Sequence, residues 1–450
     1  MRQLLISGLL VSACLPLSPA VGQSLSDSVS SAALRTSYDG DGAALGEGDA
    51  LLSPQGGTDT TDVPEPAQRA SRPVSREQGR RRGPTSQAVG PYDPLGIRVG
   101  QFLFYPSLTL MGELTDNVDS ATVGQEGRMV KPKFELRVES DWIRHSLSLS
   151  GSAGMTAYDT PKRKPESDQA LSAALELELA NETLLTLDGA FTRRQEDSSV
   201  ELTATGQSAT YETNFSAGAT LDKRLGQLDL QLRGSAGAMR YEGETSRDYD
   251  TYRLGARVGV PVTDQVTPFI DAEISRRQYS VSNNRQNGNS LRGAIGIEVV
   301  NREKLSGEIS AGLVAWEPDA AGQAGDTSVF ADASLVWSPN GLWTIRGGLE
   351  TELTSTATAA RSVATHRVSA SAEYAVLRNL TFTASGDIGR ETYNGLSRRD
   401  WVFDATLNAT YSFNRNLQLI ASVERSQRES NWVGEDTATS TVRVGLKIQR

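Results

Sequence analysis

The chain has 450 residues, a formal net charge of −10 and a hydrophobic content of 38%, low for a protein of this length with a dry core. The acidic balance argues against nucleic acid as a partner. The single cysteine, Cys14, and the two histidines leave no material for a disulfide framework or a zinc site, and no cofactor motif is present.

Residues 1–22 read as a secretory signal. Met1-Arg2-Gln3 is the positive start, Leu4 to Leu17 the apolar stretch, and Ala20-Val21-Gly22 the small-residue cleavage site. Val11-Ser12-Ala13-Cys14 also fits a lipoprotein signal, in which Cys14 would be acylated. Residues 23–90 contain one aromatic residue, Tyr38, and are rich in Ser, Ala, Gly, Asp and Pro. That composition predicts a disordered segment. Arginines cluster in it from Arg69 to Arg82, which makes it either a solvated linker or a basic tether.

From about residue 105 a supersecondary unit repeats about every 38 residues. Short polar turns fall near residues 143, 181, 224, 264, 302, 340, 378 and 415. Each is flanked by runs that alternate apolar with polar or small residues, the mark of a strand with two unlike faces. Phe134, Leu136 and Val138 oppose Lys133, Glu135, Arg137 and Glu139. Trp401, Phe403, Ala405, Leu407, Ala409, Tyr411 and Phe413 keep the pattern late in the chain, and Val442, Val444, Leu446 and Ile448 keep it at the end. Longer loops rich in Gly, Asp, Ser and Arg separate the hairpins. Eight tight turns with one strand before and one after predict about 18 strands, with 16 as the alternative.

Short turns on one side, long loops on the other and strands of about ten alternating residues predict an all-β fold over residues 91–450: a transmembrane antiparallel β-barrel. A closed barrel satisfies every backbone polar group in lipid without leaving an edge. No apolar stretch after the N-terminus is long enough for a membrane-spanning helix. The expected location is the outer membrane of a Gram-negative bacterium, with residues 23–90 in the periplasm. The expected partners are outer-membrane lipid and lipopolysaccharide.

If the apolar face meets lipid, the other face lines the lumen. The lumen-lining candidates are Glu135, Arg137, Glu139, Arg233, Arg253, Arg257, Asp271, Glu273, Arg292, Arg346, Glu350, Arg367 and Asp404. Burying such groups in a dry core would cost too much, whereas barrels of about 16–18 strands are wide enough for water. Both signs are present with acids in excess on that face, so strong anion selectivity is not expected. Aromatic residues near the predicted strand ends form two candidate interface bands. They are Tyr105, Trp142, Trp337, Trp343, Tyr374 and Tyr411 toward the short turns, and Trp316, Tyr393 and Trp401 toward the long loops.

The run Tyr92-Asp93-Pro94-Leu95-Gly96-Ile97-Arg98-Val99-Gly100, with Phe102, Tyr105-Pro106-Ser107-Leu108 and Asp116-Asn117-Val118, resembles the start of the outer-membrane family known as β-barrel porin 2. The resemblance covers about residues 91–450, mainly by pattern beyond the opening motif. It implies an outer-membrane barrel associated with exopolysaccharide production or export, assembled by the barrel-assembly machinery, and it brings no catalytic residues. The final residues, Leu446-Lys447-Ile448-Gln449-Arg450, keep the alternation but lack the terminal aromatic of such barrels.

The expected function is a porin-like or export channel linked to polysaccharide. The alternatives are a surface structural or adhesive barrel and a barrel hydrolase. A hydrolase needs an activated nucleophile or water. His145 falls at a short turn, and His366 starts a strand near Ser362 and Thr365 without a motif around it. The chain is therefore not expected to be an enzyme.

Overall fold

The computed structural model describes residues 91–118, 122–159, 164–195, 210–281, 287–301, 304–320, 322–355 and 362–450. The signal reading of residues 1–22, the acylation reading of Cys14 and the disorder reading of residues 23–90 lie outside the described residues.

Every regular element among the described residues is a strand. In chain order they are β1 (Ile97–Val99), β2 (Phe102–Thr115), β3 (Gly127–Ser140), β4 (His145–Tyr158), β5 (Glu166–Leu179), β6 (Thr183–Gln195), β7 (Tyr211–Leu225), β8 (Leu228–Tyr241), β9 (Tyr249–Gly259) and β10 (Val266–Tyr279). They continue as β11 (Gly288–Asn301), β12 (Leu305–Pro318), β13 (Asp326–Asn340), β14 (Trp343–Ser355), β15 (Ser362–Leu377), β16 (Leu380–Asn394), β17 (Arg399–Asn414), β18 (Leu417–Ser430) and β19 (Thr437–Gln449).

Each strand from β2 to β19 pairs antiparallel with the next, and β19 pairs with β2 from Thr441↔Thr115 to Gln449↔Ser107. The ring is therefore a closed barrel of 18 long strands within a 19-stranded sheet. The short strand β1 pairs only with Phe102–Phe104 of β2, where it extends the ladder past the end of β19. Strand one therefore begins at Phe102 rather than at the expected Tyr105.

The short connections carry their own turn chemistry. Asn181 and Glu182 between β5 and β6 have φ of 60° and 54°, the backbone twist that suits a two-stranded hairpin. The Asn340 side chain accepts from the N–H groups of Leu342 and Trp343, at 2.9 and 3.2 Å. Asn414 does the same for Asn416 and Leu417 at 2.8 and 3.1 Å. Such side-chain turns reverse the chain without a glycine at every site.

The pleat divides the wall. Along β2, Ser107, Thr109, Met111, Glu113 and Thr115 are buried, while Leu108, Leu110 and Leu114 are at least half exposed. Leu254, Ile270, Ile295 and Val329 on other strands are exposed by 64–68% on the same outer wall. An apolar surface of that extent requires lipid against it.

Gly307 in β12 has a φ of 146°, and a Cβ there would stand 1.9 Å from the Ser334 carbonyl oxygen of β13. Only glycine admits that approach.

Candidate functional site: the inner wall and its infolded edge

All of the lumen candidates lie on the inward face. Glu135, Arg137 and Glu139 share a parity on β3, with Glu135 opposite the buried Ser107. Arg253 and Arg257 share one on β9, opposite Ser275 and Asp271 of β10. Glu273 faces Arg292 across β10 and β11, and Glu350 faces Arg367 across β14 and β15.

The inner wall is laced with ion pairs. Asp271 accepts from Arg233 of β8 at 2.8 and 3.0 Å and from Arg257 of β9 at 3.0 Å. Arg233 reaches it over Gly255, where an added Cβ would stand 3.0 Å from the guanidinium. Arg257 also donates to Glu308 of β12 at 2.8 Å and lies over the Phe269 ring at 3.9 Å. All four charged side chains are at most 7% exposed. Such groups are tolerable only because each is paired.

A second set bridges the closing strands. Arg443 of β19 donates to Glu113 of β2 and to Glu424 of β18, Lys131 reaches Glu113 at 2.9 Å, and Lys447 donates to Glu135 at 3.1 Å. Arg292 pairs with Asp332 across β12, Arg346 lies 3.9 Å from Glu373, and Arg367 lies 3.5 Å from Asp387. Asp404 sits opposite Asp387, and both are almost fully buried.

A third set, missed in the sequence reading, lies beneath the long loops. Arg398 donates to Asp400 at 2.7 Å and reaches Glu435 at 3.1 Å. Arg428 donates to both Asp400 and Glu391 at 2.8 Å, and the Tyr393 hydroxyl donates to Glu391 at 2.9 Å. Burial works against the charge of Arg398, but its hydrogen bond to Asp400 together with the fields of Tyr393, Asp400 and Glu435 outweighs it and holds the guanidinium above its ordinary pKa.

The upper half of β14 leaves the wall. Its ladder with β13 runs only from Asn340↔Trp343 to Ala333↔Leu349, although β13 extends to Asp326 and β14 to Ser355. β14 stays paired with β15 throughout, to Ser355↔Ser362. Above Leu349, side chains replace the ladder: the Thr351 N–H donates to Asp332 at 3.0 Å, and the Ser362 hydroxyl to Asp326 at 2.8 Å. Leu353 packs against Ala294, Val314 and Phe330, which face inward from β11, β12 and β13. Glu352 comes within electrostatic reach of Arg277 on β10. Ser362, Val363 and Ala364 are buried in succession, so both faces of the strand are covered there. The edge is tucked inside its neighbours and narrows the lumen at the long-loop half.

The aromatic candidates divide. Trp337, Trp343, Tyr374, Trp401 and Tyr411 lie on the outer wall, with Trp343 stacked on Tyr374 at 4.3 Å between centroids. Trp142 stands at the β3–β4 turn, edge-on to the outward Phe102 at 5.8 Å. Tyr105, Trp316 and Tyr393 turn inward and correct the expectation. Tyr105 shares the parity of Ser107 and lies under the Arg137 guanidinium at 4.4 Å. Trp316 and Tyr393 are only 7% and 2% exposed. A ring at a strand end faces lipid only if its parity does, and these three occupy polar-face positions.

His366 points outward, 3.2 Å from the Thr351 hydroxyl. Among the described residues no group of three or more His, Cys, Asp or Glu side chains gathers as a metal site.

Residues 90–450 match the family described as "Putative beta-barrel porin 2". The chain belongs to this family. It is thus a porin-like β-barrel of the Gram-negative outer membrane, and the opening-motif resemblance holds at family level. Among solved structures it is similar to OccK9 (OpdG) of Pseudomonas aeruginosa, with 13% identity, 78% of this chain and 98% of that chain covered, and a TM-score of 0.46. It is similar also to a BenF-like porin from Pseudomonas fluorescens Pf-5, with 10% identity, 78% and 100% coverage and a TM-score of 0.44. OpdL of Pseudomonas aeruginosa follows with 12% identity, 78% and 99% coverage and a TM-score of 0.42. No curated protein matches the chain in sequence.

Proposed function

We propose that the barrel is a channel for saccharides, either a porin-like pore or an export pore for polysaccharide, and that it performs no catalysis. The observation that carries this reading is the inner wall. Arginines and carboxylates pair along it, with carboxylates the more numerous among the buried groups, and Tyr105, Trp316 and Tyr393 add ring faces to it. Paired charges offer donors and acceptors to hydroxyl groups without the field that would select an anion, and rings offer surfaces for the apolar faces of sugars.

The outward rings are proposed to lie at the two membrane interfaces, and residues 23–90 to extend into the periplasm from the short-turn rim. Assembly by the barrel-assembly machinery belongs to the same reading. His366 faces away from the lumen, which supports leaving it out of any reaction.

Single-channel recording of the purified, folded barrel in planar bilayers tests the proposal. Conductance without strong anion selectivity, reduced reversibly by linear oligosaccharides, is the expected result. A folded barrel that never conducts, with or without saccharide, would overturn it.

A further inference from the structure

The outward face of the long-loop rim carries arginines, with the carboxylates Asp116, Glu242, Asp250 and Asp319 beside them, where the rest of that face is apolar. Arg128 is exposed at the start of β3 and Arg399 at the start of β17. Arg193 of β6 lies over the Tyr211 ring at 4.2 Å, and Arg390 of β16 over Trp401 at 5.6 Å. Arg240, Arg276 and Arg425 hold exposed carboxylates, Asp250, Asp319 and Asp116, with side chains themselves 39%, 40% and 43% exposed.

The opposite rim differs. Its outward strand ends are Leu177, Leu185, Leu230, Trp337, Tyr374, Tyr411 and Ile448, and Lys223 is the cation among them. Arg144, Arg378 and Arg415 at that rim sit in the turns, beyond the strand faces.

Strand length places the two rims. Most strands have 13–16 residues, whereas about 9–11 cross the hydrocarbon. The apolar residues run down to the short turns, so the surplus stands at the long-loop rim, in the headgroup zone. Charge on a lipid-facing wall is costly at mid-depth and tolerable only near the interface.

We infer that these arginines form a docking belt for the phosphate groups of a phosphorylated glycolipid of the outer leaflet. The planar guanidinium fork binds phosphate through two parallel hydrogen bonds. Exposed ion pairs such as Arg240 with Asp250 contribute little by themselves, so exchanging the carboxylate for a phosphate costs little. The belt holds lipid around the outer end of the barrel and depends on membrane placement, not on conduction.

The test compares the full folded chain with bisphosphorylated lipid A, dephosphorylated lipid A and inorganic phosphate, read by native mass spectrometry from detergent. The wild type should prefer the bisphosphorylated form at least about tenfold, as loss of several charge-assisted bonds implies. Arg193→Gln, Arg276→Gln, Arg390→Gln and Arg425→Gln combined should abolish that preference, whereas Lys223→Gln should keep it. Equal binding of the two lipids by the wild type would overturn the belt, and so would a wild-type preference in the folded fourfold variant. Inorganic phosphate binding as tightly as the lipid would overturn the assignment to lipid. The wild-type comparison decides by itself if the fourfold variant fails to fold. A barrel that never conducts but keeps the lipid preference would overturn the channel alone.

Discussion

Asp332 of β13 accepts the backbone N–H of Thr351 of β14 at 3.0 Å, just above the level where the ladder between these strands stops at Ala333↔Leu349. A side chain stands in for a missing main-chain partner, and the strand beyond it lies on the inner side of its neighbour. Leu353→Cys combined with Val314→Cys, in a Cys14→Ser background, should therefore form a disulfide in most of the folded protein on mild oxidation. If β14 continued the ladder beside β13, Leu353 would sit on the outer wall, and non-reducing electrophoresis would find no bond.

Asp271 is shared by two buried guanidiniums. Asp271→Asn should destabilise the barrel by about 3–5 kcal/mol, the usual cost of leaving a buried charge unpaired. The temperature at which the folded band disappears in heat-modifiability gels should fall clearly. An unchanged transition would mean that water already reaches both arginines.

Gly307→Ala places a methyl group against the Ser334 carbonyl oxygen at a left-handed φ. Strain of about 1–3 kcal/mol for the backbone alone, with the clash added, should sharply lower the folded yield. Refolding into detergent and quantifying the compact band measures it, and Gly347→Ala, where an added Cβ meets nothing within 4 Å, is the control.

Asp400 ties Arg398 of one long loop to Arg428 at the foot of the next. Asp400→Ala should loosen both loops, 395–398 and 431–436, with little change in the ring itself. Limited chymotrypsin digestion should cleave after Leu396 and Trp432 about tenfold faster, since local opening sets such rates. Equal cleavage would show that other contacts hold these loops.

Much of this barrel is legible in its residues. The period fixes the turns because hairpin chemistry is local: Asn340, Asn414 and the Asn181-Glu182 pair each announce a reversal. Alternation fixes the faces, which is why the lumen candidates from Glu135 to Asp404 fall inward. Tyr105, Trp316 and Tyr393 were misplaced because closeness to a strand end does not determine parity, and one residue of offset changes the face. The strand β1 spans three residues, too few to show a period. The tucked edge of β14 is a nonlocal event, and the alternation of Leu349, Thr351 and Leu353 is the same whether or not β13 is beside it. One local sign exists. Thr351, Ala364 and His366 stand at outward positions where other strands carry Leu, Ile or Val, and a lipid-facing wall has no use for them.

The ladder between β19 and β2 joins residues far apart in the chain, Thr441 and Thr115 being separated by 326 positions. Until the last strand is made, the growing sheet has two bare edges, each a template for mispairing. Contacts of such long range also form slowly. Removing β19 would thus uncover Ser107–Thr115 on one strand and Leu417–Arg428 on another at once. Production of this protein is consequently an all-or-nothing matter of finishing the polypeptide, and a prematurely stopped chain would be a substrate for proteases rather than a smaller pore.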